Sequence, residues 1–361
     1  MKPLRIGIDA RELLGDATGV GRYLGELVTR WTKRSDANRR RLVLYAPEAL
    51  PLEVPPGTTE HRVIGQGRGT WWEQTWLRRA VRADRPDVFF APAYTAPLGT
   101  GVPLAVTIHD ISFIAHPEWF RPREGLRRRW LTRRAAGSAE VILTVSDFSR
   151  REIESKLRVD PARIRVIAEG VTRKPPGARR GRQPLVLYVG SLFNRRRLPD
   201  LIAAFSQATT DLPAARLVIV GDDRTWPPQD LRACTAAHDV DRRTDFLSYI
   251  PDGDLARLYA RACVFAFLSE YEGFGLTPLE ALSAGVPIVV LDTPVAREVY
   301  GDAAWYVAKD DVDGTAAALR RCLLDPEASA GRLARAPAVL SRYSWEDAAR
   351  QTLEAIEGIA R

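Results

Sequence analysis

Short apolar runs recur along this chain, each parted from the next by a longer amphipathic stretch, and they fall into two series. The first is Leu4–Asp9, Arg41–Ala46, Val88–Ala91, Leu104–Ile108, Val141–Val145 and Arg165–Ala168. The second is Leu185–Gly190, Arg216–Gly221, Thr244–Phe246, Val264–Leu268 and Pro287–Leu291. A strand that is apolar without alternation is buried on both faces, and helical stretches between strands supply the cover. The pattern predicts an α/β chain with two parallel, doubly wound sheets. Between the series lies Gly170–Pro184, with three prolines, three glycines and five basic residues. Neither a helical nor a strand period survives there, so it reads as a linker between two domains of similar size. Ligands of doubly wound sheets bind beyond the carboxyl ends of the strands, so the residues after each apolar run are the ones to inspect.

Composition narrows the class. At 361 residues the chain suits two middling domains better than one core. No apolar run approaches the roughly 20 residues of a membrane-spanning helix. The strand-like LRIGIDA begins at Leu4, so no charged-then-apolar leader is expected. Cys234, Cys263 and Cys322 are widely spaced and odd in number, which suits neither a disulfide framework nor a zinc site. The expectation is a cytoplasmic protein.

Charge is unevenly spread. Through Arg182 there are 34 basic against 20 acidic residues, and from Gln183 onward 19 against 25. A basic N-terminal half fits an anionic partner: a membrane face, a phosphorylated acceptor or nucleic acid. Solvated arginine-rich helix faces explain it equally well, since only five of the 53 basic residues are lysine.

The most informative stretch is Ser269–Pro287, SEYEGFGLTPLEALSAGVP, set between the apolar runs VFAFL and IVVL. Gly273 and Gly275 let backbone approach a ligand closely. Phe274, Leu276 and Thr277 are expected to open a helix whose first amides have no intrahelical partner and so form a phosphate site. Glu272 and Glu280 stand eight residues apart, one in the loop and one in the helix. One carboxylate suits a sugar hydroxyl and the other a ribose diol.

Here the chain resembles the retaining glycosyltransferases of family 4, which have the GT-B architecture. Their signature of two glutamates separated by seven residues is EGFGLTPLE, followed by AGVP. TGVGRYL, IHDISFIAHPEWF, TVSDFSRREI, YVGSLFNRRRLPDLIAAF and YSWEDAARQTLEAI also occur in the family's order, so the resemblance covers nearly the whole chain. The nearest branch is mannosyltransferase-like. The resemblance implies two Rossmann-like domains facing a central cleft. Residues 1–170 would bind the acceptor, 171–184 form the linker, 185–344 bind the nucleotide sugar, and 345–361 cross back to the first domain as a helix, Trp345–Ala360.

Residue by residue, the resemblance gives Glu272 the donor sugar and Glu280 the ribose. In YVGSLFNRRRL the strand ends at Gly190 and Arg195, Arg196 and Arg197 follow. Arg195 and Arg196 occupy the family's Arg-Lys positions, where fixed cations stabilise the charge developing on a departing diphosphate. Arginine grips a diphosphate bidentately where lysine is a point charge. Ser191 departs from the cation that some branches place after this glycine. His109 would touch the transferred sugar or its phosphate. Gly19 and Gly21 in DATGVG would present amides to the donor phosphates or the acceptor. Backbone near Leu247 and Ile250 in FLSYIP would meet the base.

Other features carry less. His116 reads as structural. Ser146 reads chiefly as a helix cap, with an acceptor contact second. The Asp239–Asp241 and Asp311–Asp313 triplets sit in polar, turn-like surroundings, so no metal or other cofactor is expected beyond the nucleotide-sugar co-substrate. Arg121–Arg134 holds seven arginines around Trp130 and Leu131. It reads first as a solvated helix and second as a peripheral contact with an anionic membrane. Trp71, Trp72 and Trp76, with Arg78, Arg79 and Arg82, would flank that surface. No nucleic-acid-binding motif is present, and none is expected as partner.

The resulting expectation is a metal-independent retaining hexosyltransferase that uses GDP-mannose before other donors. Its acceptor is a glycan, a lipid-linked sugar or a small molecule. A nucleotide-sugar epimerase of the same architecture and a non-catalytic nucleotide-sugar-binding subunit stand as alternatives. A dehydrogenase is disfavoured, because the glycines after the first strand lack GxGxxG spacing.

Overall fold

The computed structural model describes residues 2–15, 19–51, 57–173, 184–248, 250–325 and 327–360. Residues 174–183, most of the expected linker, lie outside the described residues, as do Asp16, Ala17 and Thr18 of DATGVG and Tyr249 of FLSYIP. The chain forms two compact units: Met1–Ala115, Arg123–Gly170 and Ser344–Arg361 make the first, His116–Pro122 and Val171–Tyr343 the second.

Among the described residues, the first unit builds a seven-stranded sheet from β1 (Leu4–Asp9), β2 (Arg40–Ala46), β3 (Thr59–Val63), β4 (Val88–Ala91), β5 (Leu104–Thr107), β6 (Val141–Thr144) and β7 (Ile164–Val166). Every pairing is parallel, in the order β3-β2-β1-β4-β5-β6-β7. Its main helices are α1 (Val20–Lys33), α2 (Pro122–Ser138) and α3 (Asp147–Leu157). In α1 the buried Tyr23, Leu24, Leu27, Val28 and Trp31 fall at helical spacing, so one stripe faces the sheet.

The second unit repeats the plan with β8 (Leu185–Val189), β9 (Arg216–Val220), β10 (Thr244–Leu247), β11 (Val264–Phe267), β12 (Ile288–Leu291) and β13 (Ala304–Val307). These strands are parallel in the order β10-β9-β8-β11-β12-β13. Among its helices are α4 (Leu198–Ala208), α5 (Asp252–Arg261), α6 (Leu276–Ser283) and α7 (Val312–Leu324). Strand order reverses between β1 and β4 in one sheet and between β8 and β11 in the other. At each reversal the connecting chains part and leave a crevice at the carboxyl ends.

The apolar runs become strands within a residue or two of their expected limits. Two strands had no such run to announce them. β3 reads TEHRV and lies at an edge with three of its five residues exposed; β13 is a four-residue edge strand, AWYV, whose middle pair is only half-buried. An edge strand takes its hydrogen bonds from one neighbour and need not be apolar on both faces.

The last helix, α8 (Trp345–Glu357), belongs to the first unit and ends three residues before the expected Ala360. Trp31 Nε1 donates to the Ala349 carbonyl at 2.7 Å, and Arg40 pairs with Glu357. Where the chain prepares to leave the first unit, a Cβ on Gly170 would sit 2.2 Å from the Trp345 nitrogen, so only glycine fits. His116–Pro122 lies among first-unit residues in sequence but packs with the second. His116 stacks on Trp119 at 4.0 Å and meets Tyr271 edge-on at 5.5 Å, and Arg121 lies over Trp226 at 5.3 Å.

Candidate active site

β8 and β11 are the strands on either side of the reversal in the second sheet, and each is followed by one half of the expected site. After β8 a 3-10 turn, Asn194–Arg196, delivers two arginines, and after β11 the loop Ser269–Gly275 delivers Glu272. They meet. Arg196 Nη2 donates to Glu272 Oε2 at 3.3 Å, while its Nε lies 3.0 Å from Oε1 without hydrogen-bond alignment. Arg195 Nε stands 3.8 Å from the same Oε1, and the Ser269 hydroxyl also donates to it. Both guanidinium groups lie over aromatic rings at 4.4 Å, Arg195 on Phe193 and Arg196 on Phe267. Stacking fixes the plane of each guanidinium, which prepares it for bidentate contact with an oxyanion.

Arg197 differs from its neighbours. It donates to Asp200 at 2.6 Å and to Glu270 at 2.7 Å, and it also pairs with Asp310. Burial would raise the Glu270 carboxyl, but Lys309 and Arg197 outweigh it and hold the group below its ordinary value. Three carboxylates neutralise Arg197, so of the basic triplet Arg195 and Arg196 face Glu272 and Arg197 secures the turn.

The signature loop is held from below by Tyr300, whose hydroxyl donates to the Gly275 carbonyl at 3.0 Å. Gly275 has φ +91°, and a Cβ there would lie 2.1 Å from the Tyr300 hydroxyl. That left-handed residue caps the helix, so α6 begins at Leu276 and the expected start at Phe274 is two residues early. Gly273 is buried, and Phe274 is buried with its ring edge-on to Tyr343 at 5.0 Å. Leu276 and Thr277 open the helix, half-buried. Glu280 is the fifth helical residue, 2% exposed, and accepts from the Tyr259 hydroxyl at 3.2 Å. A small recess beside Glu272 is lined by Ser269, Phe274, Thr293 and Tyr300. Gly190 closes β8, with its N–H donated to Val220, and burial pushes the nearby Tyr188 phenol up to about 12.

In the first unit Gly19 caps α1 and Gly21 is buried in its first turn. His109 follows β5 and is 8% exposed; Nδ1 lies 3.0 Å from Glu169 and Nε2 3.0 Å from the Pro92 carbonyl. Both ring nitrogens therefore have protein partners. Ser146 caps α3, accepting from the Ser149 N–H at 3.0 Å. In the second unit the Leu247 carbonyl accepts from the Gly221 N–H at 2.7 Å, and Ile250 is half-buried just before α5. Asp311 caps α7, and Asp239 and Asp241 are exposed. Among the described residues no three His, Cys, Asp or Glu side chains gather as a metal site would require.

Several residues with a part in these arrangements escaped the sequence reading. Ser269 and Tyr300 support the signature loop, Tyr259 holds Glu280, and Glu169 faces His109. Ser269 and Glu169 lie two and three residues beyond a strand, on the ligand side of such a sheet, whereas Tyr259 and Tyr300 lie at the C-terminal ends of their helices and carry no such mark. A further group is Asp9 at the end of β1 with Arg11 and Glu73, both carboxylates buried and Arg11 half-buried. Arg11 lies 3.1 Å from Asp9 and pairs with Glu73, which also accepts from Thr95 at 2.6 Å. Burial pushes Asp9 up to about 6 against the pull of Arg11.

Known proteins resemble this chain in both units. Residues 17–174 match the family model described as Glycosyltransferase Family 4, and residues 172–336 that of Glycosyl transferases group 1. The O-antigen chain mannosyltransferase B of Escherichia coli is 28% identical over 94% of this chain and 95% of that protein. A glycogen synthase of Mycobacterium tuberculosis is 32% identical over 76% of this chain and 69% of that protein. The solved structure of WaaG, a glycosyltransferase involved in lipopolysaccharide biosynthesis, superposes with a TM-score of 0.78 at 17% identity, covering 98% of this chain and all of that one. Two Rossmann-like units in a single chain constitute the GT-B architecture, and this protein is a glycosyltransferase using a nucleotide-sugar donor. The chain is a GT-B glycosyltransferase related to both families, its first unit matching Glycosyltransferase Family 4 and its second Glycosyl transferases group 1.

Proposed function

We propose that this enzyme moves a hexose, mannose before others, from a nucleotide diphosphate sugar to a glycan, lipid-linked or small-molecule acceptor, with retention at the anomeric carbon and without a divalent ion. The observation that carries the reading is the meeting of Arg195 and Arg196 with Glu272 beyond β8 and β11. A departing diphosphate gains negative charge as the glycosidic bond breaks, and two stacked guanidinium groups supply the compensating charge that a metal ion supplies in other transferases. The first amides of α6, at Leu276 and Thr277, add donors to the same oxyanion. Glu272 holds a donor-sugar hydroxyl, Glu280 the ribose, and backbone at Leu247 and Ile250 the base.

Chemistry on this site proceeds on one face of the sugar. The acceptor oxygen bonds to the anomeric carbon on the side from which the diphosphate leaves. A phosphate oxygen takes the acceptor's proton, because the Glu272 carboxylate is already engaged by Arg196 and Ser269 and is poorly placed as a nucleophile. In the first unit His109 serves the transferred sugar or its phosphate, Gly19 and Gly21 present amides to the donor phosphates or the acceptor, and Ser146 makes a lesser contribution to the acceptor side. Mannose is favoured because the relative matched over nearly its whole length is named a mannosyltransferase.

A lipid-linked acceptor accords with α2. Leu126 (63% exposed) and Trp130 (52% exposed) share a solvent face with Arg123, Arg127, Arg133 and Arg134. Such a face lies on anionic lipid. No described helix is long and apolar enough to cross a membrane. The enzyme is accordingly proposed to act in the cytoplasm, touching the membrane peripherally.

Incubation with a panel of sugar nucleotides, followed by hydrolysis, thermal shift and product NMR, tests the proposal. GDP-mannose should give the largest shift and an axial-to-axial product. A larger effect from another donor would reassign the sugar, an inverted product would remove the retaining mechanism, and turnover abolished by chelator would remove metal independence.

A further inference from the structure

The His109 ring is enclosed by aromatic neighbours: Tyr23 of α1 meets it edge-on at 4.9 Å and Tyr94, after β4, tilts against it at 5.8 Å. What its two nitrogens face is chemically restrictive. Nε2 faces the Pro92 carbonyl and Nδ1 the Glu169 carboxylate, each at 3.0 Å. A carbonyl and a carboxylate oxygen only accept hydrogen bonds, and a neutral imidazole has a single N–H. Either neutral tautomer would set a ring lone pair against an oxygen lone pair. With Glu169 ionised, the imidazolium alone satisfies both contacts.

The surroundings supply the counter-charge. Glu169 is 7% exposed, so its carboxylate is held in a medium where a charge needs a partner. Asp110, next in the chain, adds a second negative charge near the ring. Tyr23 remains a neutral phenol, pushed up to about 12 by burial. From α3 the Ser149 hydroxyl donates to the His109 carbonyl at 3.0 Å and fixes the backbone beneath the ring. Burial alone would lower the imidazole's pKa, but Glu169, the Pro92 carbonyl and Asp110 outweigh it and the net direction is upward.

We infer that Glu169 is a positioning residue that holds His109 as a doubly donating imidazolium, so that the first unit keeps a fixed positive charge at the end of β5 and His109 does not serve as a proton acceptor. The consequence for catalysis rests on the transferase reading above; the charge on the ring is a property of the first unit's own packing. The same carboxylate also anchors the chain two residues before it passes to the second unit at Val171.

The experiment follows the imidazole C–H resonances of the full-length protein by NMR from about pH 5 to about pH 9. The chain has four histidines, and His109→Gln assigns the relevant one. The His109 resonance should titrate above the ordinary histidine value, move down in Glu169→Gln, and stay above it in Glu169→Asp, which keeps the charge. Titration at or below the ordinary value in the unmodified protein overturns the inference even if no variant folds. An unchanged midpoint in Glu169→Gln overturns it equally. For catalysis, Glu169→Gln should lose about tenfold more kcat/KM at about pH 8 than at about pH 6, the scale of one charge-assisted hydrogen bond. Parallel losses at both pH values would remove the catalytic consequence. Absence of turnover with every sugar nucleotide would instead sink the functional reading and leave the measured titration of the ring intact.

Discussion

Arg196 and Glu272, 76 residues apart in the chain, are bonded to each other, with Nη2 3.3 Å from Oε2. The group assigned to the leaving diphosphate and the group assigned to the sugar thus neutralise one another until a ligand separates their tasks. Glu272→Gln should release Arg196, so that the nucleoside diphosphate binds about two- to fivefold tighter. Sugar transfer should fall at least about 100-fold in the same variant. Isothermal titration and a transfer assay read the two effects; weaker diphosphate binding would show that the pair does not compete with the ligand.

Neighbouring arginines should separate cleanly. Arg196→Ala is expected to cost about 100-fold in turnover, because a preorganised cation is lost where charge develops. Arg197→Ala instead unpairs Asp200 and Asp310, leaves Glu270 to Lys309 alone, and should lower unfolding stability by ~1–2 kcal/mol. Denaturant melts and kinetics on both variants decide this, and full activity in Arg196→Ala would take that residue out of the leaving-group site.

Gly275 admits no side chain. With φ at +91° and the Tyr300 hydroxyl 2.1 Å from where a Cβ would stand, Gly275→Ala should destabilise the protein by ~2–3 kcal/mol. Tyr300→Phe removes the hydroxyl and its hydrogen bond to Gly275, at a cost of ~1 kcal/mol. Combining the two should therefore cost less than their sum, a coupling that thermal melts of the double-mutant cycle measure.

Asp9 makes stability depend on pH. Its carboxyl goes from 3.8 when unfolded to about 6 when buried, so the folded state keeps the proton through that interval. The contribution is complete below the unfolded value and is lost as pH climbs through about 6, with a size on the order of 3 kcal/mol. Asp9→Asn should flatten the slope, as urea titrations at several pH values would reveal; an unaltered slope would assign it to other groups.

Two adjacent tryptophans should answer oppositely. Trp72 is fully buried and its Nε1 donates to the Ile64 carbonyl at 2.7 Å, whereas Trp71 is 75% exposed. Trp72→Ala should cost ~3–5 kcal/mol, the range for emptying an aromatic site in a core. Trp71→Ala should stay within about 0.5 kcal/mol by the same melt.

These tryptophans mark a limit of sequence reading. Trp71, Trp72 and Trp76 look alike as a basic-aromatic surface, yet Trp72 belongs to the core, and only helical phase set by the packed sheet distinguishes them. The basic triplet is a parallel case: three consecutive arginines carry no mark of which two face Glu272 and which one is consumed by carboxylates from α4, from beyond β11 and from beyond β13. For His109, its place at a strand end was legible, whereas its partner Glu169 lies 60 residues away and became visible only in three dimensions.

From its own pattern the chain dictated two parallel sheets, because doubly buried strands must be apolar throughout, and it marked the residues after β8 and β11 as the ones to inspect, because ligands of doubly wound sheets bind beyond the carboxyl ends of the strands. Partnership was left to tertiary structure. Whether a charged side chain is available or already spent depends on residues brought close by strand order, and Coulombic pairing falls off over a few ångströms that linear spacing does not encode. The edge strands β3 and β13 were likewise decided by their neighbours, since a strand paired on one side needs no apolar signature of its own.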